Sequence, residues 1–154
     1  MFKIVAFGKS GNEILRKYDE VASYNDFEKF SLNQRKDLKV IDSIKNSNVL
    51  IVGGLGGNST RLIYEAILNL KVNRCKVVVL ATIPFNVESK KKWIIALDAT
   101  DFIDELADES IIAYSNCLVD LKEKNYAIDV AFECLDIEMA MMLNGILENV
   151  CVFN

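Results

Sequence analysis

NVLIVGGLGGNSTRLI, residues 48–63, carries three local signals in one line. Val49-Leu50-Ile51-Val52 is an apolar, β-branched run that reads as a buried strand. It ends in Gly53-Gly54-Leu55-Gly56-Gly57, and Asn58-Ser59-Thr60 are all good helix caps. Leu62, Ile63, Ala66, Ile67 and Leu70 then recur at helical spacing. The unit is strand, glycine loop, helix. Such a loop lets backbone N–H groups approach an anion, and the helix aims its positive dipole end at the same spot. Glycines at this turn also serve plain tight packing, and this stretch alone leaves both readings open.

The 154 residues predict a single domain spanning 1–154, long enough for a sizeable core. Hydrophobic residues make up 51% and charged residues 26%, a globular rather than disordered balance. A formal charge of −4 argues against a general nucleic-acid binder. No apolar run approaches the roughly 18 residues of a membrane span, and no signal-peptide pattern opens the chain. Cys75, Cys117, Cys134 and Cys151 lack the close spacing of a zinc site, and histidine is absent. Metal ligation and histidine-based acid–base catalysis are therefore not expected, and reduced thiols in the cytoplasm are.

Around the central unit, Lys3–Phe7 reads as a first strand. It runs into Gly8-Lys9-Ser10-Gly11-Asn12 and a helix carrying Ile14, Leu15 and Tyr18. Gly8-Lys9-Ser10 is not a Walker loop, because that motif needs a glycine where Lys3 stands. A short second strand is expected near Val21–Tyr24, and an amphipathic helix with Leu38, Ile41 and Ile44 from about Ser31. Lys76–Ala81 is a further buried strand, closed by the only proline, Pro84. A helix follows from Glu88 to about Leu106, with Ile95, Ala99, Phe102, Ile103 and Leu106 inward. A strand spans Ser110–Tyr114, a lysine-rich turn Lys122–Lys124, and a strong helix runs from about Asp129 to Ile146, with Gly145 near its end. The tail Val150–Phe153 reads as a last edge strand. This alternation predicts a three-layer, Rossmann-like, mostly parallel α/β sheet of five or six strands with helices on both faces. Ligands of such sheets sit beyond the strand C-termini, where all the conspicuous loops fall.

Four loops share that edge: Gly8–Asn12, Gly53–Thr60, Pro84–Lys92 and Ser115-Asn116. In order and content they resemble the GTP-binding domain of FtsZ, the bacterial cell-division relative of tubulin. Gly54-Leu55-Gly56-Gly57 with Asn58-Ser59-Thr60 is similar to the family's glycine- and threonine-rich signature. Pro84-Phe85-Asn86-Val87-Glu88-Ser89-Lys90-Lys91-Lys92 resembles its Pro-Phe-x-x-Glu-Gly-Lys-Lys-Arg segment, the most specific piece. Asp108-Glu109-Ser110 before a strand ending at Asn116, and Ala131-Phe132 before Asn144-Gly145-Ile146, also fit. Gly8, Gly11 and Asn12 are similar to the first glycine loop.

The resemblance implies GTP or GDP, accompanied by magnesium, in a cytoskeletal-polymer or cell-division setting. It implies Gly56, Gly57 and Thr60 facing the phosphates, Glu88 at the ribose, and Lys92 where the family has a phosphate-facing arginine. Asn116 and Asp136 become the guanine-edge residues, although the family's Asn-Asp pair is Asp136-Ile137 here. Both glycine loops are one residue shorter than the family pattern, which leaves fewer positions free to take positive φ. The family's central helix, its carboxylate-bearing loop and its second domain have no counterpart up to Asn154. Hydrolysis is therefore expected to be absent, or to depend on a partner's carboxylate loop, with a second copy or a full-length FtsZ-like protein as partner.

Without the family, Lys90, Lys91 and Lys92 fall in the first turn of a helix, where each opposes the dipole by about 0.3–1 kcal/mol. A nearby anion or a solvated basic face both account for them. Asn116 reads equally as a turn or helix cap, and Asp136 as a solvated helix position. Met139, Met141 and Met142 are core or interface filling. Two other functions remain in view. One is an interaction or regulatory module that keeps the fold without nucleotide, as a filament cap or homo-oligomer. The other is a dinucleotide-dependent oxidoreductase, disfavoured because neither glycine loop spells G-x-G-x-x-G with an acid at the ribose spacing.

Overall fold

A computed structural model describes residues 2–22, 27–121 and 127–153. Five strands form its sheet: β1 (Phe2–Phe7), β2 (Glu28–Leu32), β3 (Asn48–Gly54), β4 (Lys76–Ile83) and β5 (Glu109–Tyr114). All pair in parallel, in the order β2-β1-β3-β4-β5. The helices are α1 (Gly8–Val21), α2 (Lys39–Asp42) behind a 3-10 turn at Arg35–Leu38, α3 (Ser59–Val72), α4 (Lys90–Leu106), α5 (Ser115–Leu118) and α6 (Ile128–Phe153). This is the expected three-layer α/β architecture.

Period-two alternation distributes each strand between two cores. Val49 and Ile51 of β3, with Val77 and Val79 of β4, meet Ile63, Ile67 and Leu70 of α3 and Ala96, Ala99 and Ile103 of α4. Leu50, Val52, Val78 and Leu80 face the other way, toward Ile14 and Tyr18 of α1 and Leu135, Met139 and Leu143 of α6. Both faces of β3 and β4 are covered, which is why their sequences are continuous apolar runs. Truncating one such residue, Ile51→Ala, would cost about 2–5 kcal/mol.

Three local expectations are corrected. The second strand is Glu28–Leu32, not Val21–Tyr24: α1 runs on to Val21, and 23–26 lie outside the described residues. As an edge strand β2 buries little beyond Leu32, so its hydrophobic signal is faint. Ser31 therefore lies in β2 rather than at a helix start, and the helical turns begin at Arg35. Val150–Phe153 continues α6 instead of forming a strand. The buried stripe Leu135, Met139, Leu143, Leu147 holds its helical register past Gly145, whose surroundings are open and which is no cap. The lysine-rich turn at Lys122–Lys124 lies outside the described residues.

The strand order places the site. α1 leaves β1 for one face and α3 leaves β3 for the other, so adjacent strands send their helices apart. A crevice opens at the C-terminal ends of β1 and β3, the switch point of an open α/β sheet.

Candidate functional site

A cavity of about 720 Å³ occupies that crevice, within the range of small-molecule sites. Two helix N-termini close one end. Neither α1 nor α3 has a side-chain cap or an acidic residue in its first turn. The positive ends of both dipoles therefore meet the cavity with no side-chain cap or first-turn acid to offset them, which suits an anion. The two loops touch where Gly8, at φ +67°, leaves only 2.9 Å between an added Cβ and Ser59 Oγ. Gly57 is the opposite case: an added Cβ there meets nothing within 4 Å, and the residue lines the cavity.

Gly54, Asn58 and Ser59 also line the cavity, beside Lys9 and Ser10 of α1. Gly56 and Thr60 lie behind this rim. The Gly56 N–H donates to Thr60 Oγ1 at 2.9 Å, and its φ of +103° suits glycine. An added Cβ on Gly56 would stand 2.7 Å from the Lys92 carbonyl oxygen and 2.9 Å from Pro84 Cγ. This pair braces the loop against the start of α4. Gly11 packs α1 onto β3, with an added Cβ 2.5 Å from the Val52 carbonyl oxygen. Asn12 Nδ2 donates to the Gly8 carbonyl at 2.6 Å and to Asn33 Oδ1 at 3.0 Å, tying α1 to the segment after β2.

The Pro84–Lys92 segment forms one wall. Glu88 accepts from the Phe85 N–H at 2.7 Å and pairs with Lys92 Nζ at 3.3 Å, and both side chains line the cavity. Unlike α1 and α3, α4 is capped: Ser89 Oγ accepts from the Lys92 N–H. Asn116 lies off the cavity. Its Oδ1 accepts from the Asn86 N–H at 2.7 Å and its Nδ2 donates to Asn86 Oδ1 at 3.1 Å, so it ties this wall to α5.

The far end is built by α1 and α6. Phe132 is 38% exposed, held edge-on by Phe85 at 5.5 Å between ring centroids, and lines the cavity. Asp136 is one helical turn on, on the same face of α6. Its carboxyl is pushed up to about 6, first by burial and then by the Glu13 charge, with Lys17, Arg16 and Lys9 pulling the other way. Arg16 pairs with Glu13 at 3.0 Å, and Lys17 with Glu133 at 3.4 Å. Those two cations are engaged by carboxylates on their own wall, whereas Lys9 and Lys92 stand toward the helix N-termini. Among the described residues no cluster of three or more acidic, cysteine or histidine groups could hold a metal ion.

Sequence reasoning passed over Lys9, Ser10, Asn33 and Asp129 as lining residues. Lys9 and Ser10 sat within the motif excluded as a Walker loop, which left no separate signal for them. Asn33 and Asp129 come from segments that only the fold brings to the crevice.

The arrangement has the α/β fold of the FtsZ/tubulin nucleotide-binding domain. FtsZ of M. jannaschii, solved as an empty dimer, matches with a TM-score of 0.76 at 18% identity over 95% of this chain and 54% of that one. CetZ from Methanosaeta thermophila strain DSM 6194 matches at 0.66 and 16% identity, over 96% of this chain and 54% of that one. In sequence, the mitochondrial division protein fszB of Dictyostelium discoideum is 27% identical over 103 residues, 64% of this chain and 28% of that protein. The chain thus spans about half the length of the solved relatives and under a third of fszB. No protein-family model matches it. The resemblance carried by the loops in sequence is matched by the fold. No helix among the described residues is long and apolar enough to cross a membrane.

Proposed function

We propose that this chain binds a guanine nucleotide, GTP or GDP, in the switch-point cavity. The observation that carries the proposal is the pair of uncapped helix N-termini, α1 and α3, converging on one end of the cavity. Oriented N–H groups there favour a multiply charged anion. Gly57, Ser59 and Lys9 are the groups best placed for the phosphates, with Lys92 on the adjoining wall. The opposite end offers the chemistry of a base: the half-exposed Phe132 ring for a planar face, and the Asp136 carboxylate to accept from N–H donors on one edge. Guanine presents two such donors side by side and adenine does not, which supports guanine. Glu88, held on the same wall as Lys92 by the Phe85 N–H, is the group assigned to the sugar hydroxyls.

Magnesium accompanying the phosphates would be held largely by them and by water. The FtsZ-like fold and the fszB similarity support a cytoplasmic polymer or division setting, with a second copy or a full-length FtsZ-like protein as partner. Titrating fluorescent GTP, with GDP and ATP as competitors, tests the reading. GTP and GDP should displace the probe and ATP should do so much more weakly. Absence of saturable binding in the folded chain would leave the reading of an interaction module.

A further inference from the structure

We propose that α4 is a self-association surface, pairing antiparallel with α4 of a second copy of this chain. The outward face of α4 changes character along its length. Lys90 and Lys91 stand at its start, Ile94 and Leu97 in the middle, and Asp98, Asp101 and Glu105 toward its end, all exposed. Ile94 is 52% and Leu97 43% exposed, while the buried side of the helix is Ala96, Ala99 and Ile103.

Nothing among the described residues satisfies this stripe. Among the described residues, the side chains of Lys90, Lys91, Asp98, Asp101 and Glu105 make no hydrogen bond or ion pair, whereas Lys92 is engaged by Glu88. Lys90 and Asp101 are too far apart along the helix to pair, about 16 Å at 1.5 Å per residue. Both charge groups also stand at the wrong ends for the helix dipole: cations at the N-terminus and acids at the C-terminus. An antiparallel copy reverses each of these disadvantages. A two-fold axis between Ile94 and Leu97 sets Ile94 against the partner's Leu97, and Lys90 against the partner's Asp101. Each contact then occurs twice, as isologous pairing requires. Each basic end also lies over the acidic, C-terminal end of the opposing dipole.

A contact between two single helices is small, below the roughly 1,200 Å² of a standard interface. The association should therefore be weak, concentration-dependent and weakened by salt. Sedimentation equilibrium of the full chain across a concentration series tests it. Wild type should show a monomer–dimer equilibrium. Lys90→Glu alone and Asp101→Lys alone each turn two attractions into two repulsions, so each should raise the dissociation constant about tenfold or more. The double variant Lys90→Glu/Asp101→Lys should regain self-association. An equimolar mixture of the two single variants should regain it as well, because each supplies the charge that the other lacks. These positions are solvent-facing, so circular dichroism should report unchanged folding in all three variants. A wild-type chain that stays monomeric at its solubility limit overturns the proposal. So does an association that both single variants retain, or a mixture that does not recover it.

Discussion

Gly56 and Gly57 are neighbours in sequence, yet substitution should separate folding from ligand binding. At Gly56, an alanine would have to adopt φ +103°, which costs roughly 1–3 kcal/mol for an L residue. Its Cβ would also stand 2.7 Å from the Lys92 carbonyl oxygen and 2.9 Å from Pro84 Cγ. Neither of those atoms lies at the end of a flexible side chain, and overpacking of this kind costs about 1–3 kcal/mol. The sum is roughly 2–6 kcal/mol, a sizeable fraction of the 5–15 kcal/mol typical of a domain. At about 2–4 °C per kcal/mol for a chain of this size, Gly56→Ala should melt roughly 10 °C lower. Gly57→Leu should leave the melting temperature within about 2 °C, since open space surrounds its Cβ. Its side chain would stand at the rim where the anion is proposed to sit, and GTP affinity should fall at least about tenfold, or 1.4 kcal/mol. Circular-dichroism melting and fluorescent-GTP titration read the two effects separately. Full GTP affinity in Gly57→Leu would remove the phosphates from this rim, and an undiminished melting temperature in Gly56→Ala would refute the packing argument.

Further outcomes follow from the same contacts. Lys92→Ala should weaken GTP more than guanosine, with the difference shrinking in high salt; equal losses for both ligands would point to a disturbed Glu88 wall instead. Asp136, held at about 6 against an ordinary 3.8, keeps more protons folded than unfolded across that window. Stability should therefore fall as pH rises from about 4 to 6, and Asp136→Asn should flatten the profile and gain about 1–2 kcal/mol at pH 7.5 in urea titrations, after allowing for partial solvent screening. GTP affinity of the wild type should in turn be lower at pH 5 than at pH 7.5, because a protonated carboxyl no longer accepts from both guanine donors. Asp108 shows the opposite sign: Lys71 at 2.7 Å, aided by the Val77 N–H, holds its carboxyl below the ordinary range. That stabilisation is present above about pH 4 and lost as pH falls below it, and Asp108→Asn should cost about 1 kcal/mol at pH 7 in the same titration. Phosphate release from GTP by this chain alone should be negligible, since Glu88 has both oxygens engaged and Asp129, Glu133 and Asp136 all belong to α6 across the cavity. Magnesium-dependent release that Gly57→Leu abolishes would overturn this.

The sequence by itself determined the architecture and the edge on which the loops gather. Val49–Val52 and Val77–Ala81 are apolar without interruption because helices cover them on both sides, and that is a local, readable consequence of a buried parallel sheet. The glycine loop marked the start of α3 for the same reason, although Asn58 makes no side-chain cap there and that terminus is left open. The edge strand β2 escaped, since a strand with one neighbour needs no strong pattern, and α6 outran its expected end because nothing local stops it. Only the tertiary structure decided which loop residues face the crevice and which brace it. Gly56 and Gly57 are the same residue type in the same loop, and what separates them is Lys92 and Pro84, more than 25 positions away in the chain. Asn116 was equally open in sequence, and its Asn86 partners, 30 residues distant, place it on the wall's outer side. The raised carboxyl of Asp136 likewise depends on burial between α1 and α6 beside Glu13, a neighbour that no spacing along the chain reveals. Contacts across large sequence separations set these roles, and those distances exist only once the sheet has ordered its helices.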